Sequence, residues 1–467
     1  MSKQYNNNNN NNNNNKKKTP GIISIIKLQN KFLEQSSSDD DDNENNNTFQ
    51  FIIPKTLPIK PVEIIGIGSF STVCRAEAEF GNGKISFAIK KLENALSKET
   101  NPSIADISRV AREIIILKTI SHPFLLKAKG IWLSNSDVYI ATQHVEFELG
   151  ALFERHRHME TNFKIEEIEF FSYQLLSGLA YLHNIGIVHC DLCPRNILID
   201  RYGHLCIADF GLARPSFNGV LWNKLKFNPI GSTAYTAPEI VLNCVTKCTY
   251  ASDIWSAGCI LFEFFNNNKA AISTRNSVQN MFNCIGSILG RPNSELIRRL
   301  YNKNDNANIL NSIVCDGVPK IKTVVQDYID KNVVIVDEKN NNNIGDTKMI
   351  VETFNMILKQ MLTFDYDKRA NAKDLLIKNK DTSIFSSLID EWQVGKDVYE
   401  MFTNNIENLN NVKNILKENM KLELDVYDAM ASSGGSNNSN EDNIDMKVYQ
   451  LIEHAIRDGV DNLIVVE

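Results

Sequence analysis

The sequence of 467 residues lacks several features that define whole classes of protein. Its longest apolar runs, such as Ile114–Leu117 and Ile260–Phe262, fall far short of the roughly 20 residues that a membrane span needs. Neither sign of charge dominates, and a net charge of −6 gives no electrostatic footprint for nucleic acid. We therefore expect no membrane partner and no nucleic-acid partner.

Cysteine is present without any pattern that would indicate disulfides. Nine cysteines are scattered along the chain without framework spacing, and no apolar leader typical of a signal peptide precedes them. Both features are typical of a reducing compartment. We expect an intracellular protein, cytoplasmic or nuclear.

The composition divides the chain into three regions. Residues 1–56 include the unbroken run Asn6–Asn15 and bury too little apolar surface to fold, so we predict disorder. Residues 57–388 have the patterns of one domain with Asn-rich insertions, which we interpret as surface loops. Residues 389–467 are predicted to form a partly helical extension with a flexible linker at Ser432–Asn440. The insertions are Asn266–Asn268, Asn302–Asn308 and Asn340–Asn343.

The apolar periodicity changes within the domain. Residues 57–146 contain strand patterns around one helical pattern, Ile104–Ile120, whereas residues 147–388 are mostly helical, with apolar helices at Glu166–His183 and Ser252–Phe265. We predict an α+β fold with a small β-rich lobe and a larger helical lobe. The predicted strands are Val62–Ile67, Thr72–Ala78, Ile85–Ile89, Ala128–Leu133 and Val138–Thr142.

A glycine-rich segment lies between the first two predicted strands. It reads Gly66-Ile67-Gly68-Ser69-Phe70-Ser71-Thr72-Val73, and glycines allow a backbone to approach phosphates closely. Ser71 stands where a third glycine would complete the usual motif. On its own the segment also fits an ordinary glycine hairpin.

A lysine in an apolar strand is the second notable feature. Lys90 ends Phe87-Ala88-Ile89-Lys90, and a buried ammonium group is costly unless an anion meets it. Glu113 on the following helix can supply that anion. The alternative is an edge lysine whose charged end lies in water.

Acidic and amide side chains form the third feature. Asp191 and Asn196 lie in His189–Asn196, directly after a long helix, and Asp209 opens Asp209-Phe210-Gly211. One aspartate can accept a proton from a hydroxyl group, while an amide and a second carboxylate can hold Mg²⁺. Ala237-Pro238-Glu239 then closes a segment of suitable length to bind a substrate.

From about Leu57 to Phe385 these motifs, in this order, resemble the protein kinases of the Ser/Thr class. A weaker similarity to the cyclin-dependent and mitogen-activated group lies in Asp253–Cys259 and Leu289–Asn293. The resemblance implies ATP and Mg²⁺ as cofactors and proteins as substrates. A regulatory partner is compatible with it, and none is identified.

The resemblance also assigns roles to individual residues. It implies that Lys90 anchors the α- and β-phosphates, that Glu113 pairs with Lys90, and that Asp191 is the catalytic base. Asn196 and Asp209 would hold the metal. Thr142 corresponds to the gatekeeper, with the backbone of residues 143–145 bonding adenine, and Glu239 and Arg369 to a buried ion pair. The implied nucleotide-binding residues are Ile65, Gly66, Ile67, Gly68, Ser69, Phe70, Ser71, Thr72, Val73, Ala88, Lys90, Gln143 and Val145.

The catalytic loop departs from the family pattern at two cysteines. Cys190 replaces the arginine that usually clamps a phosphorylated loop, and Cys193 replaces the lysine that usually steadies the γ-phosphate. We hypothesise that Arg195 takes over the role of that lysine. The alternative is that Arg195 is only a solvated loop residue.

Cys190 and Cys193 also form a Cys-x-x-Cys motif, which elsewhere indicates redox or zinc chemistry. No second pair of ligands follows at metal-binding spacing, although Cys206 could lie nearby, so we favour two small replacements in a loop.

Ser232 is expected to contact the catalytic aspartate. Thr236 replaces an arginine that selects proline after the target residue, which argues against proline-directed specificity.

Three functions are compatible with the sequence. The favoured one is an active Ser/Thr protein kinase with reduced turnover, since the loss of one transition-state charge costs on the order of 10²–10³ in rate. The second is a pseudokinase or scaffold that binds nucleotide without efficient catalysis. The third, a small-molecule kinase, is disfavoured by Ala237-Pro238-Glu239.

Overall fold

The structure is a computed structural model of the whole chain. It describes residues 51, 53, 59–68, 71–80, 83–95, 104–134, 136–216, 233–242, 248–272, 277–301, 308–315, 318–332, 342–377, 385, 388, 390 and 393–421. Several predictions lie outside these residues: nearly all of segment 1–56, Ser69, Phe70, Ser232 and the linker at residues 432–440.

The small lobe is built on one antiparallel sheet with the strand order β1-β2-β3-β5-β4. The five predicted strands and the predicted helix are confirmed, with ends that differ by a few residues. These elements are β1 (Ile59–Ile67), β2 (Ser71–Phe80), β3 (Gly83–Leu92), α1 (Ile104–Thr119), β4 (Ala128–Ser134) and β5 (Asp137–Gln143).

The alternation of side chains along β3 sets up the site. Ile89 is fully buried in a small cluster on one face of the sheet, together with Trp132 and Tyr139. Successive side chains of a strand point to opposite faces. Lys90 therefore faces the other way, toward α1 and the larger lobe.

The larger lobe is mostly helical, as predicted. Its short strands form two small antiparallel sheets, β6-β8-β9 and β7-β10. The strands are β6 (Phe147–Glu148), β7 (Ile187–Val188), β8 (Ile197–Ile199), β9 (Leu205–Ile207) and β10 (Arg214–Pro215). The helices are α2 (Leu149–His158), α3 (Ile165–Asn184), α4 (Pro238–Val241), α5 (Tyr250–Phe265), α6 (Val278–Leu289), α7 (Ser294–Leu296), α8 (Asn308–Asn311), α9 (Val324–Asn332), α10 (Asn342–Met361), α11 (Ala372–Ile377), α12 (Gln393–Thr403) and α13 (Ile406–Asn419).

Helices α3 and α5 form the centre of this lobe, because both are buried on nearly every side. The start of α5 is fixed by Thr249, whose backbone N–H donates to Ser252 Oγ at 2.9 Å. This cap holds the first turn of α5, and Asp253 in that turn supports the catalytic loop. Among the described helices none combines the length and apolarity needed to cross a bilayer.

The last two described helices pack against both lobes. Leu409, Leu416 and Met420 belong to the same buried cluster as the cores of α1 and α3. Helix α13 lies against α1 and α3, and Tyr173 Oη donates to the carbonyl of Gly395 in α12 at 3.0 Å. Residues 393–421 are thus part of one continuous core with the domain before them.

The prediction that every Asn-rich insertion is a surface loop is wrong in two places. Asn268 is fully buried, and its side chain donates to the Thr161 carbonyl at 3.1 Å. Asn267 and Asn268 adopt φ values of 51° and 57°, a region that asparagine enters more easily than most residues. The third insertion does not stay a loop, because α10 begins at Asn342.

Candidate active site

Lys90 lies where the two lobes meet. In the sheet it is opposite Val73 of β2 and Ile140 of β5. Its Nζ is 2.6 Å from Glu113 Oε1 of α1 and 3.3 Å from Asp209 Oδ1 of the larger lobe. The predicted pairing of Lys90 with Glu113 is confirmed.

These contacts change the ionisation of the partners. Burial alone disfavours the ammonium form of Lys90, but the carboxylates of Glu113 and Asp209 outweigh it and raise the pKa of Lys90 above its usual value. The positive charge of Lys90 in turn lowers the pKa of Asp209, assisted by the backbone N–H of Gly211. Both groups are charged at neutral pH.

Helix α1 is tied to the segment that follows Asp209. Arg112 is buried and donates to the carbonyl of Ala213 at 3.3 Å. A Cβ atom added to Gly211 would lie 3.0 Å from Nε of Arg109, so no larger side chain fits there without a shift. The hydrogen bond of Arg112 thus joins α1, which carries Glu113, to the segment that follows Asp209.

Asp209 is held in an uncommon backbone conformation, with φ of 60°. Its Oδ1 accepts a hydrogen bond from Gly211 N at 3.3 Å. The next residue, Phe210, is fully buried, with its ring centre 5.4 Å from that of His189. The buried phenyl ring anchors the turn and directs the carboxylate toward Lys90.

The described residues of the glycine-rich segment, 66–68 and 71–73, lie where β1 ends and β2 begins. Gly68 N donates to the Ser71 carbonyl at 2.7 Å, and a Cβ atom added to Gly68 would lie 3.1 Å from Ser71 Oγ. Ile67 is 70% exposed and Val73 is partly buried. The described part of the turn is thus compact, with an apolar side chain on its surface.

Two predicted nucleotide residues differ in their contacts. Thr72 is buried, and its Oγ1 donates to Glu93 Oε1 at 3.0 Å. The Thr72 hydroxyl is thus already hydrogen-bonded within the small lobe. Ala88 is partly buried and lies opposite Thr142 in the sheet. Ala88 therefore lies beside the strand end that leads into the interlobe connection.

The connection between the lobes is short and well bonded. His144 N donates to the Ser86 carbonyl at 3.2 Å, and the Gln143 amide lies 3.8 Å from Cys206 Sγ. Val145 is buried. Cys206 thus contacts the interlobe connection, with a second weak contact to the carbonyl of Pro123.

Asp191 and Asn196 face each other across the catalytic loop. Asn196 Nδ2 lies 2.8 Å from the Asp191 carbonyl and 3.1 Å from Asp191 Oδ2. Asp191 N donates to His189 Nδ1 at 3.3 Å. The loop is held from below by Asp253, whose carboxylate accepts the backbone N–H groups of His189 at 2.7 Å and Cys190 at 2.9 Å.

Cys193 and Arg195, the residue predicted to take over the role of the missing lysine, are in different surroundings. Cys193 is 2% exposed, whereas Arg195 is exposed in the 3₁₀ turn Pro194–Asn196. The stem of Arg195 lies beside Gly150, where an added Cβ atom would be 3.6 Å from Arg195 Cγ. In the part of the chain that the structure describes, no cluster of three or more His, Cys, Asp or Glu residues could hold a metal ion.

The predicted ion pair of the larger lobe is confirmed. The two terminal nitrogens of Arg369 donate to the two carboxylate oxygens of Glu239 at 2.5 and 2.8 Å. Both side chains are buried, and the guanidinium lies 4.9 Å from the ring centre of Trp255. This contact fixes the Ala237-Pro238-Glu239 segment to the helical core.

One buried acid of helix α5, Glu263, was not identified from the sequence. Glu263 accepts a hydrogen bond from Tyr235 Oη at 2.7 Å and lies 3.7 Å from Arg157. Burial raises the pKa of Glu263 to about 7. The available signal was that the apolar helix α5 carries two acids, Asp253 and Glu263, which need partners when buried.

Comparisons with known proteins agree with this geometry. The protein-family model for the protein kinase domain matches residues 59–381. The chain is 31% identical over 321 residues to mitogen-activated protein kinase mpkC of Aspergillus oryzae, covering 68% of this chain and 79% of that protein. It is 32% identical over 322 residues to mitogen-activated protein kinase sty1 of Schizosaccharomyces pombe, covering 68% and 78%.

A plant relative is matched over a shorter region. Mitogen-activated protein kinase 15 of Oryza sativa is 34% identical over 252 residues, which is 52% of this chain and 47% of the relative. This chain therefore spans under half the length of that protein.

Proposed function

Because this chain belongs to the protein kinase family, we propose that it transfers the γ-phosphoryl group of ATP to Ser and Thr hydroxyls of protein substrates. The observation that carries the proposal is the position of Lys90. Its ammonium group lies between Glu113 of one lobe and Asp209 of the other, as a site closed around phosphates requires. Phosphoryl transfer depends mainly on such positioning.

The nucleotide is expected to lie between the glycine-rich turn and the interlobe connection. Gly66 and Gly68 let the turn approach phosphates, while Val73 and Ala88 offer apolar surface to the adenine. Because His144 N is already bonded to Ser86, we assign the adenine contacts to the backbone of Gln143 and Val145.

The side chains of Asp209 and Asn196 fit a magnesium ion chemically. Asp209 supplies an ionised carboxylate and Asn196 an amide oxygen, the hard oxygen ligands that Mg²⁺ prefers. We propose these two residues as its protein ligands. When bound, the ion would neutralise charge on the phosphates.

Asp191 is proposed to orient the substrate hydroxyl and accept its proton. The hydroxyl oxygen forms the new bond to the γ-phosphorus, the bond from that phosphorus to the bridging oxygen breaks, and the proton passes to the Asp191 carboxylate. Asn196 Nδ2 contacts Asp191 Oδ2, so the carboxylate has a defined orientation before the substrate arrives.

Arg195 is proposed to supply the charge that Cys193 cannot. Arg195 is exposed and four residues after Asp191, on a 3₁₀ turn that shares Asn196 with the metal site. A long cationic side chain there can reach a γ-phosphate, whereas the side chain of Cys193 is buried and cannot carry a positive charge.

The second candidate function is nucleotide binding without efficient transfer. One observation favours it, namely that the position of the usual lysine is occupied by a buried cysteine. Under this alternative the contacts of Lys90 would stabilise the fold and hold nucleotide only.

We also propose an intracellular location, cytoplasmic or nuclear, because all eight cysteines of the described residues are free thiols. Protein substrates are proposed as partners, without nucleic acid or membrane partners, and any regulatory partner is unidentified. Cell fractionation tests the location directly.

The test of function is transfer of radiolabelled phosphate from Mg·ATP to a generic protein substrate, with Asp191→Asn as the control. Phosphoserine and phosphothreonine that appear with the wild type and vanish with the variant support the proposal. Nucleotide binding with no incorporation would support the second candidate.

A further inference from the structure

Helix α5 contacts the chain at the point where β10 ends. The hydroxyl group of Tyr250, the first residue of α5, donates to the backbone carbonyl of Ser216 at 3.2 Å. Ser216 directly follows β10, and its own backbone N–H donates to the Gly186 carbonyl at 2.7 Å. The N–H and the carbonyl of Ser216 are therefore both held by the larger lobe.

Tyr250 is also joined to the catalytic loop. Its ring centre lies 4.7 Å from that of His183, and Nε2 of this histidine is 3.0 Å from Asp253 Oδ2. Asp253 is the residue whose carboxylate holds the backbone of the catalytic loop. Contacts thus run without a break from the end of β10, through Tyr250, to the catalytic loop.

The surroundings of Tyr250 suit a hydroxyl donor in a fixed place. Thr249 and Ser252 form the reciprocal cap of α5, and this cap fixes the backbone of the tyrosine between them. The ring is partly buried, and burial raises the pKa of Tyr250 above its usual value. The hydroxyl group therefore keeps its proton at neutral pH and can donate it to a carbonyl.

Helix α5 also holds the chain further along. Ser256 Oγ, less than two turns after Tyr250, donates to the Tyr235 carbonyl at 2.8 Å, and Tyr235 Oη donates to Glu263 of the same helix. Residues 217–232 lie outside those that the structure describes. The chain on either side of them is thus hydrogen-bonded to one buried helix.

We propose that Tyr250 is a positioning residue that fixes where the segment of residues 216–237 leaves the catalytic loop. The inference rests on the proposed function, in which this segment binds the protein substrate beside Asp191. Tyr250 acts on the substrate only through the backbone of Ser216. Its phenolic hydrogen bond, and not only its ring, is the feature that carries this role.

The expected effect is confined to the protein substrate. A neutral hydrogen bond changes an equilibrium by a factor of about 5. Its loss should therefore raise the KM for a protein substrate by about 5-fold. The KM for ATP should stay unchanged, because the contacts of Lys90 with Glu113 and Asp209 do not involve α5.

The kinetic experiment uses Tyr250→Phe in the full chain, which removes the hydroxyl group and keeps the ring beside His183. Steady-state phosphoryl transfer to dephosphorylated casein would give both KM values. The matched control is Tyr328→Phe, because Tyr328 is a buried tyrosine of the same lobe whose hydroxyl also donates to a backbone carbonyl, that of Phe163. This control should lose stability without changing either KM.

Hydrogen exchange followed by mass spectrometry tests the anchor itself and needs no catalysis. In peptides that contain residues 210–216, Tyr250→Phe should exchange about 5-fold faster than the wild type, because Ser216 and the pairing of β10 with β7 lose support. Ser216→Ala should exchange as the wild type does, since the bond uses the backbone carbonyl.

Several outcomes would overturn the inference. Equal exchange in Tyr250→Phe and the wild type would show that the hydroxyl group does not hold the segment. Faster exchange with an unchanged KM for casein, or an equal rise of that KM in Tyr328→Phe, would remove the positioning role. If the wild type itself transfers no phosphate, the proposed function fails, while the exchange comparison still decides whether Tyr250 holds the segment.

Discussion

The half of the site that we propose binds the nucleotide and the half that we propose acts on the transferred phosphate are built differently. Around Lys90, two carboxylates from separate lobes meet one ammonium group within 3.3 Å. In the catalytic loop, Asp191 and Asn196 keep their mutual contact. Cys190, however, lies directly before Asp191, and Cys193 lies between Asp191 and Asn196. A cation is therefore fixed by charge in one half and missing from its usual position in the other.

This difference shows which parts of such a site tolerate change. Lys90 is constrained by partners in both lobes, so replacing it breaks two ion pairs at once. The catalytic loop is constrained mainly through its backbone, which Asp253 holds by the N–H groups of His189 and Cys190. A backbone contact allows the side chain to change, which is what Cys190 exemplifies.

The largest effect is expected from breaking the nucleotide half. Lys90→Met should lower kcat/KM by about 10³-fold, because it would remove the charge that we propose holds the phosphates. The matched control is Lys91→Met, which loses only the ion pair with Asp137 at 3.1 Å. Steady-state kinetics with Mg·ATP would decide, and equal losses in the two variants would contradict the role given to Lys90.

The next largest effect concerns the buried ion pair between Glu239 and Arg369 in the larger lobe. Glu239→Gln leaves Arg369 buried with half its partner, which should lower the free energy of unfolding by about 3–5 kcal/mol. Urea denaturation measures this change. Glu63→Gln, which disrupts an exposed pair with Arg75, is the control and should change stability little.

The transfer half itself is probed by Arg195→Ala. If Arg195 supplies the missing charge, kcat should fall by about 10²–10³ while KM for ATP changes little. Arg201→Ala removes another exposed arginine, which pairs with Glu146 at 2.6 Å, and should keep kcat. A matching small change in both variants would leave Arg195 as a solvated residue.

The smallest expected effect is the pH dependence of the free energy of unfolding that is caused by the buried carboxyl group of Glu263. Burial raises the pKa of Glu263 from 4.5 to about 7, so the folded chain keeps a proton that the unfolded chain has lost. This stabilisation is complete below pH 4.5 and is lost as the pH rises toward 7, an effect of about 3 kcal/mol.

The corresponding measurement is the free energy of unfolding at pH 5 and pH 8 for the wild type and Glu263→Gln. Glutamine cannot ionise, so the variant should lose about 3 kcal/mol less than the wild type over this range. Parallel pH profiles for the two proteins would mean that Glu263 does not titrate there.

The sequence was sufficient for the features that depend on local pattern. Alternating residues in β1, β2 and β3 predicted the sheet, and the apolar face of α3 predicted a buried helix. The pairs Lys90–Glu113 and Glu239–Arg369 followed from the resemblance to the protein kinases, because the family motifs carry their order along the chain.

The remaining features depend on contacts between distant segments. Nothing in the spacing of Cys190 and Asp253 indicates that they meet, since their hydrogen bond depends on how α5 approaches the loop. The apolar positions of α13 predict a helix but not the surface of α1 and α3 on which it packs. Likewise, asparagine composition predicted a surface loop where Asn268 is buried, because its side-chain hydrogen bonds are a tertiary feature.

The most direct test of the role proposed for Arg195 in the transfer half is the rate of the first turnover at saturating Mg·ATP, measured by rapid quench. Wild type, Arg195→Ala and the double variant Arg195→Ala/Cys193→Lys would be compared, with melting temperatures to verify folding. We predict a slow first turnover in the single variant and partial recovery when lysine is restored at position 193. A single variant as fast as the wild type would contradict it.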